Sequence, residues 1–232
     1  MARTLNLTPV ITSIRISETS KLDGIKSWSL QAIATCPGSV AKGGGLVDAC
    51  KGCYATTGNY NFPTVKAPRL ANREDWTRAE WTDDMVAALK VTSKASTGYF
   101  RWFDSGDMYS VELALKIFGV MVRTPNVKHW LPTRMAKFPK FAQILAKMES
   151  LPNVMVRFSA DSIDGTYTPG LHGSVITPDA SQIPEGSQLC HAYENAGKCS
   201  GCRACYSKDV AVIAYPAHGA KMAKVIRIAQ AA

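Results

Sequence analysis

The chain has 232 residues, 46% of them hydrophobic and 19% charged, enough apolar material for a core of its own, which excludes disordered and fibrous classes. Lys and Arg outnumber Asp and Glu by 27 to 18, for a formal charge of +9, a balance that alone points to a polyanionic partner such as nucleic acid. No run approaches the roughly 18 apolar residues of a membrane helix, and Met1-Ala2-Arg3-Thr4-Leu5-Asn6 lacks the apolar stretch of a signal peptide, so a soluble cytoplasmic protein with no membrane partner is expected.

Ser27 to Thr35 reads as an opening strand that delivers Cys36 into a loop carrying Gly43-Gly44-Gly45, which matches neither dinucleotide-binding nor P-loop spacing. Thr77-Arg78-Ala79-Glu80 has the form of a capping box ahead of a helix continuing from Asp83 to Val91. Tyr99 to Phe103 is an aromatic strand, and Ser110 caps a helix over 111–118. His129-Trp130-Leu131 is a second strand of this run. Phe138 to Met148 is a helix with Phe141, Ile144, Leu145 and Met148 on one stripe and Pro139 in its first turn. Val154 to Phe158 is the third strand, and Val175-Ile176-Thr177 and Val210 to Tyr215 are later ones joined by long loops. Strands alternating with helices at this spacing imply right-handed parallel crossovers, hence an α/β fold of mainly parallel strands. With no repeat, low-complexity segment or linker, residues 1–232 read as a single domain.

Ligands of such sheets bind beyond the carboxyl ends of the strands, and each middle strand here ends in a polar cluster. The first gives Asp104-Ser105-Gly106-Asp107, the second Thr133-Arg134-Met135, and the third Ser159-Ala160-Asp161-Ser162-Ile163-Asp164. Asp104, Ser105, Gly106, Asp107, Arg134, Ser159 and Asp161 are the candidate cofactor-binding residues; Arg134 suits a substrate carboxylate, while the Ser and Asp side chains also suit helix caps and turns. His218-Gly219 reads either as a site histidine or as a helix start.

The seven cysteines form two groups. Cys36, Cys50 and Cys53 follow C-x13-C-x2-C within 36–53, and Cys190, Cys199, Cys202 and Cys205 follow C-x8-C-x2-C-x2-C within 190–205, a C-terminal cysteine-rich loop region. An odd count and CxxC steps in a reducing compartment point to metal chemistry rather than disulfides. Consecutive CxxC steps suit a cubane 4Fe-4S cluster, whose thiolates bind different irons of one compact body. A structural zinc site usually splits its ligands into two separated pairs and remains an alternative, with His191 as an alternative ligand. Three early thiolates leave one iron for a fourth protein ligand or for a small molecule. Cys36 simply packed in the core is the plainer reading.

At CKGCYA, FRWFDSGDMYS, LPTRM, KCSGCRACYS and VAVIAYPAHG the chain resembles the bacteriophage gene-product-88-like family, from about Ser27 to Gly219. The early cysteines and the strand-helix order are in turn similar to radical S-adenosylmethionine enzymes. That similarity implies a partial (β/α) barrel, cluster ligation by Cys36, Cys50 and Cys53, and Asp104-Ser105-Gly106-Asp107 where those enzymes hold the methionine amino group. The spacing departs from their usual C-x3-C-x2-C, and Gly52 stands where an aromatic is common.

Three functions follow. One is a 4Fe-4S phage protein of radical S-adenosylmethionine type, with one or two clusters, S-adenosylmethionine as cofactor, a small-molecule ligand and an electron donor, in the host cytoplasm. The second keeps the clusters for electron transfer, sensing or structure. The third is a zinc-stabilised nucleic-acid-binding module, disfavoured because no helix read from the sequence carries a basic stripe and because Trp76, Trp81, Trp102 and Trp130 suit a core better than base stacking.

Overall fold

The protein, described by a computed structural model over residues 14–95 and 98–231, is an α/β molecule built on one eight-stranded sheet. The strands are β1 Ser17–Glu18, β2 Lys26–Trp28, β3 Tyr99–Trp102, β4 Lys128–Thr133, β5 Val154–Ser159, β6 Gly173–Thr177, β7 Ser187–Leu189 and β8 Val212–Pro216. They lie in the order β1-β2-β3-β4-β5-β6-β8-β7, and every pairing is parallel except that of β1 with β2. The helices are α1 Asp48–Lys51, α2 Pro63–Asp75, α3 Trp81–Ala95, α4 Val111–Arg123, α5 Ala142–Ser150 and α6 Ala220–Gln230. No helix among the described residues is long and apolar enough to cross a membrane.

Side chains alternate across a strand, and here the alternation separates two environments. Phe100 and Trp102 of β3, Leu131 of β4 and Val154 and Val156 of β5 point to the main core, where they meet Met85 and Leu89 of α3, Leu113, Ile117 and Met121 of α4, and Ile144, Leu145 and Met148 of α5. Trp28 packs edge-on against Trp81 and Trp102, with ring centroids 5.3 and 6.1 Å apart. The intervening residues join the region of the late cysteines: Trp130 of β4 clusters with Leu22 and Ile25, against which Tyr99, Cys199, Cys205 and Tyr206 pack. Trp76, Trp81, Trp102 and Trp130 are all buried, as a core role requires.

Ser110 caps α4 as expected, its hydroxyl accepting the Leu113 N–H at 3.1 Å. The Thr77 to Glu80 segment behaves otherwise. The Thr77 hydroxyl donates to Glu74 O at 2.7 Å and so closes the end of α2, while Arg78 pairs with Asp75 and Asp84 across the junction to α3. Pro139 opens a 3-10 turn, and α5 proper starts at Ala142. The opening strand ends at Trp28, earlier than the reading to Thr35, because Leu30 N–H turns to Ser105 O and Thr35 O takes the Asp107 N–H. His218-Gly219 resolves as a helix start: Gly219 is the N-cap of α6, with Met222 and Ile226 on its buried side.

His129 is buried in the helix-side core. Its Nδ1 accepts the Trp102 Nε1–H at 3.2 Å, and Nε2–H donates to Thr124 Oγ1 at 3.0 Å, whose own hydroxyl is given to Val120 O. Burial holds its pKa down to about 3, below the unfolded value of about 6.5. The unfolded chain therefore binds this proton first as the solution is acidified. Stability is complete above pH about 6.5 and falls toward pH about 3, by at most about 1.4 kcal/mol per pH unit from this group. Urea midpoints measured at pH 7, 5 and 4 should show this decline, and a His129→Gln variant should show a shallower one.

Candidate functional site

The early loop lies at the carboxyl ends of the parallel strands. Cys36 closes a turn through its N–H to Ile33 O (3.0 Å), Cys50 sits on the short helix α1, and Cys53 N–H returns to Cys50 O (3.1 Å). The rim fixes this loop at three places: Asp107 N–H donates to Thr35 O, Ala49 N–H to Asp161 O, and Lys137 Nζ to Gly38 O. The three thiols are close enough to feel one another's charge. Burial, followed by the Asp107 carboxylate, pushes the Cys36 thiol up to about 12, and burial also raises Cys50, against the pull of Arg134. No cysteine forms a disulfide.

Gly52 has no space for any side chain. A Cβ there would stand 2.9 Å from Met222 Cα and 2.7 Å from its Cε. The Cα cannot swing aside without moving α6, so Gly52→Ala should lower stability by about 1–3 kcal/mol. Thermal unfolding checks this; an unchanged midpoint would mean that α6 adjusts freely.

The predicted rim residues divide in their contacts. Asp107 is buried beside Cys36, and its carboxylate accepts from Thr133 Oγ1 (2.8 Å), Met108 N (2.8 Å) and Arg134 N (2.9 Å). Arg134 and Asp161 stand beside Cys50. Arg134 Nε is 3.5 Å from Asp161 Oδ1, and neither atom has a hydrogen-bond partner although both are buried. Asp104 is taken up by its own chain: Oδ2 accepts from Tyr60 Oη (2.6 Å) and Arg69 Nη2 (3.0 Å), and Oδ1 pairs with Arg101 Nη1 (3.3 Å). Ser105 accepts from Arg69 Nε (2.7 Å) and donates to Leu30 O (2.7 Å). Gly106, at φ +81°, brings the backbone so near Leu30 and Thr35 that a Cβ would lie 2.6 and 2.7 Å from them. Ser159 sits apart, with Ser174 Oγ at 3.3 Å across β5 and β6.

The late cysteines lie between β7 and β8. Cys190 N–H donates to Ala214 O, Cys199 N–H to Lys21 O and Cys202 N–H to Cys199 O, each at 2.9 Å. All four line one cavity of about 390 Å³, whose walls include Leu22, Ile25, Trp130, Tyr206 and Ile213. Burial raises the Cys199 thiol to about 11 and raises Cys205 as well. Cations answer them: Lys21 acts on Cys199, while Arg157 and Arg101 act on Cys205.

Arg157 organises this segment. Fully buried in β5, it donates from Nη2 to the carbonyls of Ala204 (2.9 Å), Ser207 (2.9 Å) and Val210 (3.0 Å), and from Nε to Cys205 O (3.1 Å). Nη1 reaches Gly173 O and Ala211 O. Sequence reasoning passed over Arg157, Arg101 and Lys137. For the first two a signal existed: each is the lone charge in an otherwise apolar strand, VMVRF and YFRWF, where a parallel sheet buries both faces.

Among the described residues no three His, Cys, Asp or Glu side chains converge on the position of a single metal ion. A cubane cluster takes each thiolate on a different iron, so its ligands surround a body instead of meeting at a point. The late site suits such a body. All four cysteines line the cavity, and two further lining residues, Trp130 and Tyr206, carry buried donors, Nε1–H and Oη–H, without hydrogen-bond partners. Buried donors rarely stay unpaired, and the sulfur of a cluster accepts such bonds.

No curated protein and no solved structure matches the chain. A family model described as Gene product 88 matches residues 11–208, a span that takes in β1 to β7 and both cysteine groups. With most of its length and both candidate centres inside that match, the chain belongs to the gene product 88 family.

Proposed function

We propose that this chain is a phage iron-sulfur protein that binds 4Fe-4S clusters through Cys190, Cys199, Cys202 and Cys205 and through Cys36, Cys50 and Cys53, on a partial (β/α) barrel. The four late cysteines lining one cavity, with unpartnered buried donors on two further lining residues, carry the reading. The parallel run from β2 to β8 supports the barrel. At the early site three thiols leave one iron for an exogenous ligand. Arg134 Nε and Asp161 Oδ1, buried without hydrogen bonds and facing each other as an ion pair at 3.5 Å, would part to offer a carboxylate partner and an ammonium partner beside Cys50. An amino-acid end such as that of S-adenosylmethionine fits those two charges, with a small reductant protein as electron donor.

A second reading, clusters for electron transfer, sensing or structure, draws on Asp104 and Asp107. Their carboxylates are already engaged by Tyr60, Arg69, Arg101, Thr133 and backbone N–H groups, which leaves them little capacity for a ligand.

Anaerobic purification followed by iron and acid-labile sulfide analysis tests the proposal. Visible charge-transfer absorption with iron and sulfide in equal amounts is the expected result. A colourless protein holding only zinc would overturn it. Adding S-adenosylmethionine to the reduced protein then separates the two readings: a changed paramagnetic resonance spectrum and release of 5'-deoxyadenosine favour the first, and neither change favours the second.

A further inference from the structure

The late cavity has a set of hydrogen-bond donors that thiol ligation does not require. Tyr215 Oη lies 3.3 Å from Cys205 Sγ. A ligating thiolate has no proton to give, so across this contact the Tyr215 hydroxyl is the donor. Tyr206 and Trp130 are among the residues that line the same cavity, and their Oη and Nε1 are buried and without hydrogen-bond partners. These donors come from separate elements: Tyr215 from β8, Trp130 from β4, and Tyr206 from the turn at Ala204–Tyr206 that Arg157 fixes. The neighbouring aromatic contacts hold them in place. Tyr206 packs edge-on against both Tyr99 and Trp130, at 4.9 and 5.7 Å between ring centroids, and Arg101 lies over the Trp130 ring at 4.5 Å.

Resting on the iron-sulfur reading above, we propose that Tyr215, Tyr206 and Trp130 are positioning residues that donate to the sulfur atoms of the late centre and set its reduction potential. Tyr215 donates to the Cys205 sulfur, and Tyr206 and Trp130 donate to the body inside the cavity. Reduction adds negative charge to the cluster, and donors aimed at its sulfurs stabilise the reduced form more than the oxidised form. The set therefore raises the potential above that of the same thiolate ligation without it.

The test is a redox titration, followed by paramagnetic resonance, of the full chain with clusters assembled anaerobically, comparing wild type with Tyr215→Phe, Tyr206→Phe and the double variant. Each single substitution should move the midpoint of one cluster to more negative potential, and the double variant should move it further. Iron and sulfide per chain should stay at the wild-type level, and the other cluster should not move. Unchanged midpoints at full cluster content overturn the proposal. A purely structural role would lower cluster content without shifting the midpoint of what remains, and that result overturns it too. The cobalt(II) form gives an independent reading, because loss of the Tyr215 donor should move its sulfur-to-cobalt charge-transfer band to longer wavelength. If wild type takes up cobalt at these thiols but no iron and sulfide, the cluster reading fails and an unshifted band in Tyr215→Phe overturns the donor role separately. Wild type that binds neither overturns both.

Discussion

Replacing Arg157 with Met should cost about 3–5 kcal/mol of folding stability, the range for removing one member of a buried charged network. The guanidinium spans carbonyls at Gly173, Ala204, Cys205, Ser207, Val210 and Ala211, joining the β5–β6 border to the segment that carries the late thiols. Ala204 O and Ala211 O keep the N–H groups of Ser207 and Gly173, but the other acceptors lose the guanidinium, and each group left unsatisfied costs about 1–3 kcal/mol before the loop relaxes. The loss should concentrate in the 198–211 segment, because the helix-side core on β3, β4 and β5 makes no use of this side chain. A urea midpoint and limited proteolysis read the two effects separately. Arg157→Lys should rescue only part, since an ammonium offers three donors from one point while the guanidinium offers five in a planar fork. A variant with the wild-type midpoint and an uncut loop would show that the carbonyl cage is dispensable.

Removing one thiol from each group should empty one centre and spare the other. Cys205→Ser is expected to lose about half of the iron and sulfide of a protein carrying two clusters, and Cys50→Ser the other half, on the thiolate ligation model. The two sites are built from different pieces: α1 and the strand rims for the early one, the segment between β7 and β8 for the late one. Arg101 is the side chain that feels both neighbourhoods. Burial works against its charge, but Tyr54, Asp104 and Tyr215 outweigh that penalty, and it acts in turn on Cys205. Metal analysis of each variant, with spectra of the remaining centre, reads the outcome. If Cys205→Ser also strips the early site, the two centres form a single unit.

Much of the sheet could be read in advance because its helices and strands have clean periods. Ser110 with the apolar residues of α4, and the Phe141, Ile144, Leu145, Met148 stripe, identify themselves by spacing alone. The helix α2 did not, because Pro68 stands inside a segment whose buried residues are Arg69 and Asn72 rather than apolar ones. Its purpose is to deliver Arg69 to Asp104 and Ser105, a contact across 35 and 36 residues that no local pattern encodes. The grouping of cysteines was legible because CxxC spacing is local. The partners of those thiols were not: Tyr215, Trp130, Arg101 and Arg157 reach them from separate strands, and only the register of β3, β4, β5 and β8 brings them together.

The tether between the two ends of the chain bears on how the molecule is made. Gly201 N–H and Arg203 both bind Asp23, across 178 and 180 residues, and Cys199 N–H binds Lys21 O. A nascent chain can assemble β2 to β5 and their helices long before residues 199–203 emerge, so the late thiol loop closes after that part of the sheet. Closing so long a loop adds little free energy beyond a shorter one, since the entropy grows only with the logarithm of length, but contacts so distant in sequence slow the search. Until that closure Leu22, Ile25 and Trp130 lack the cover of Cys199, Cys205 and Tyr206, an exposure that favours aggregation.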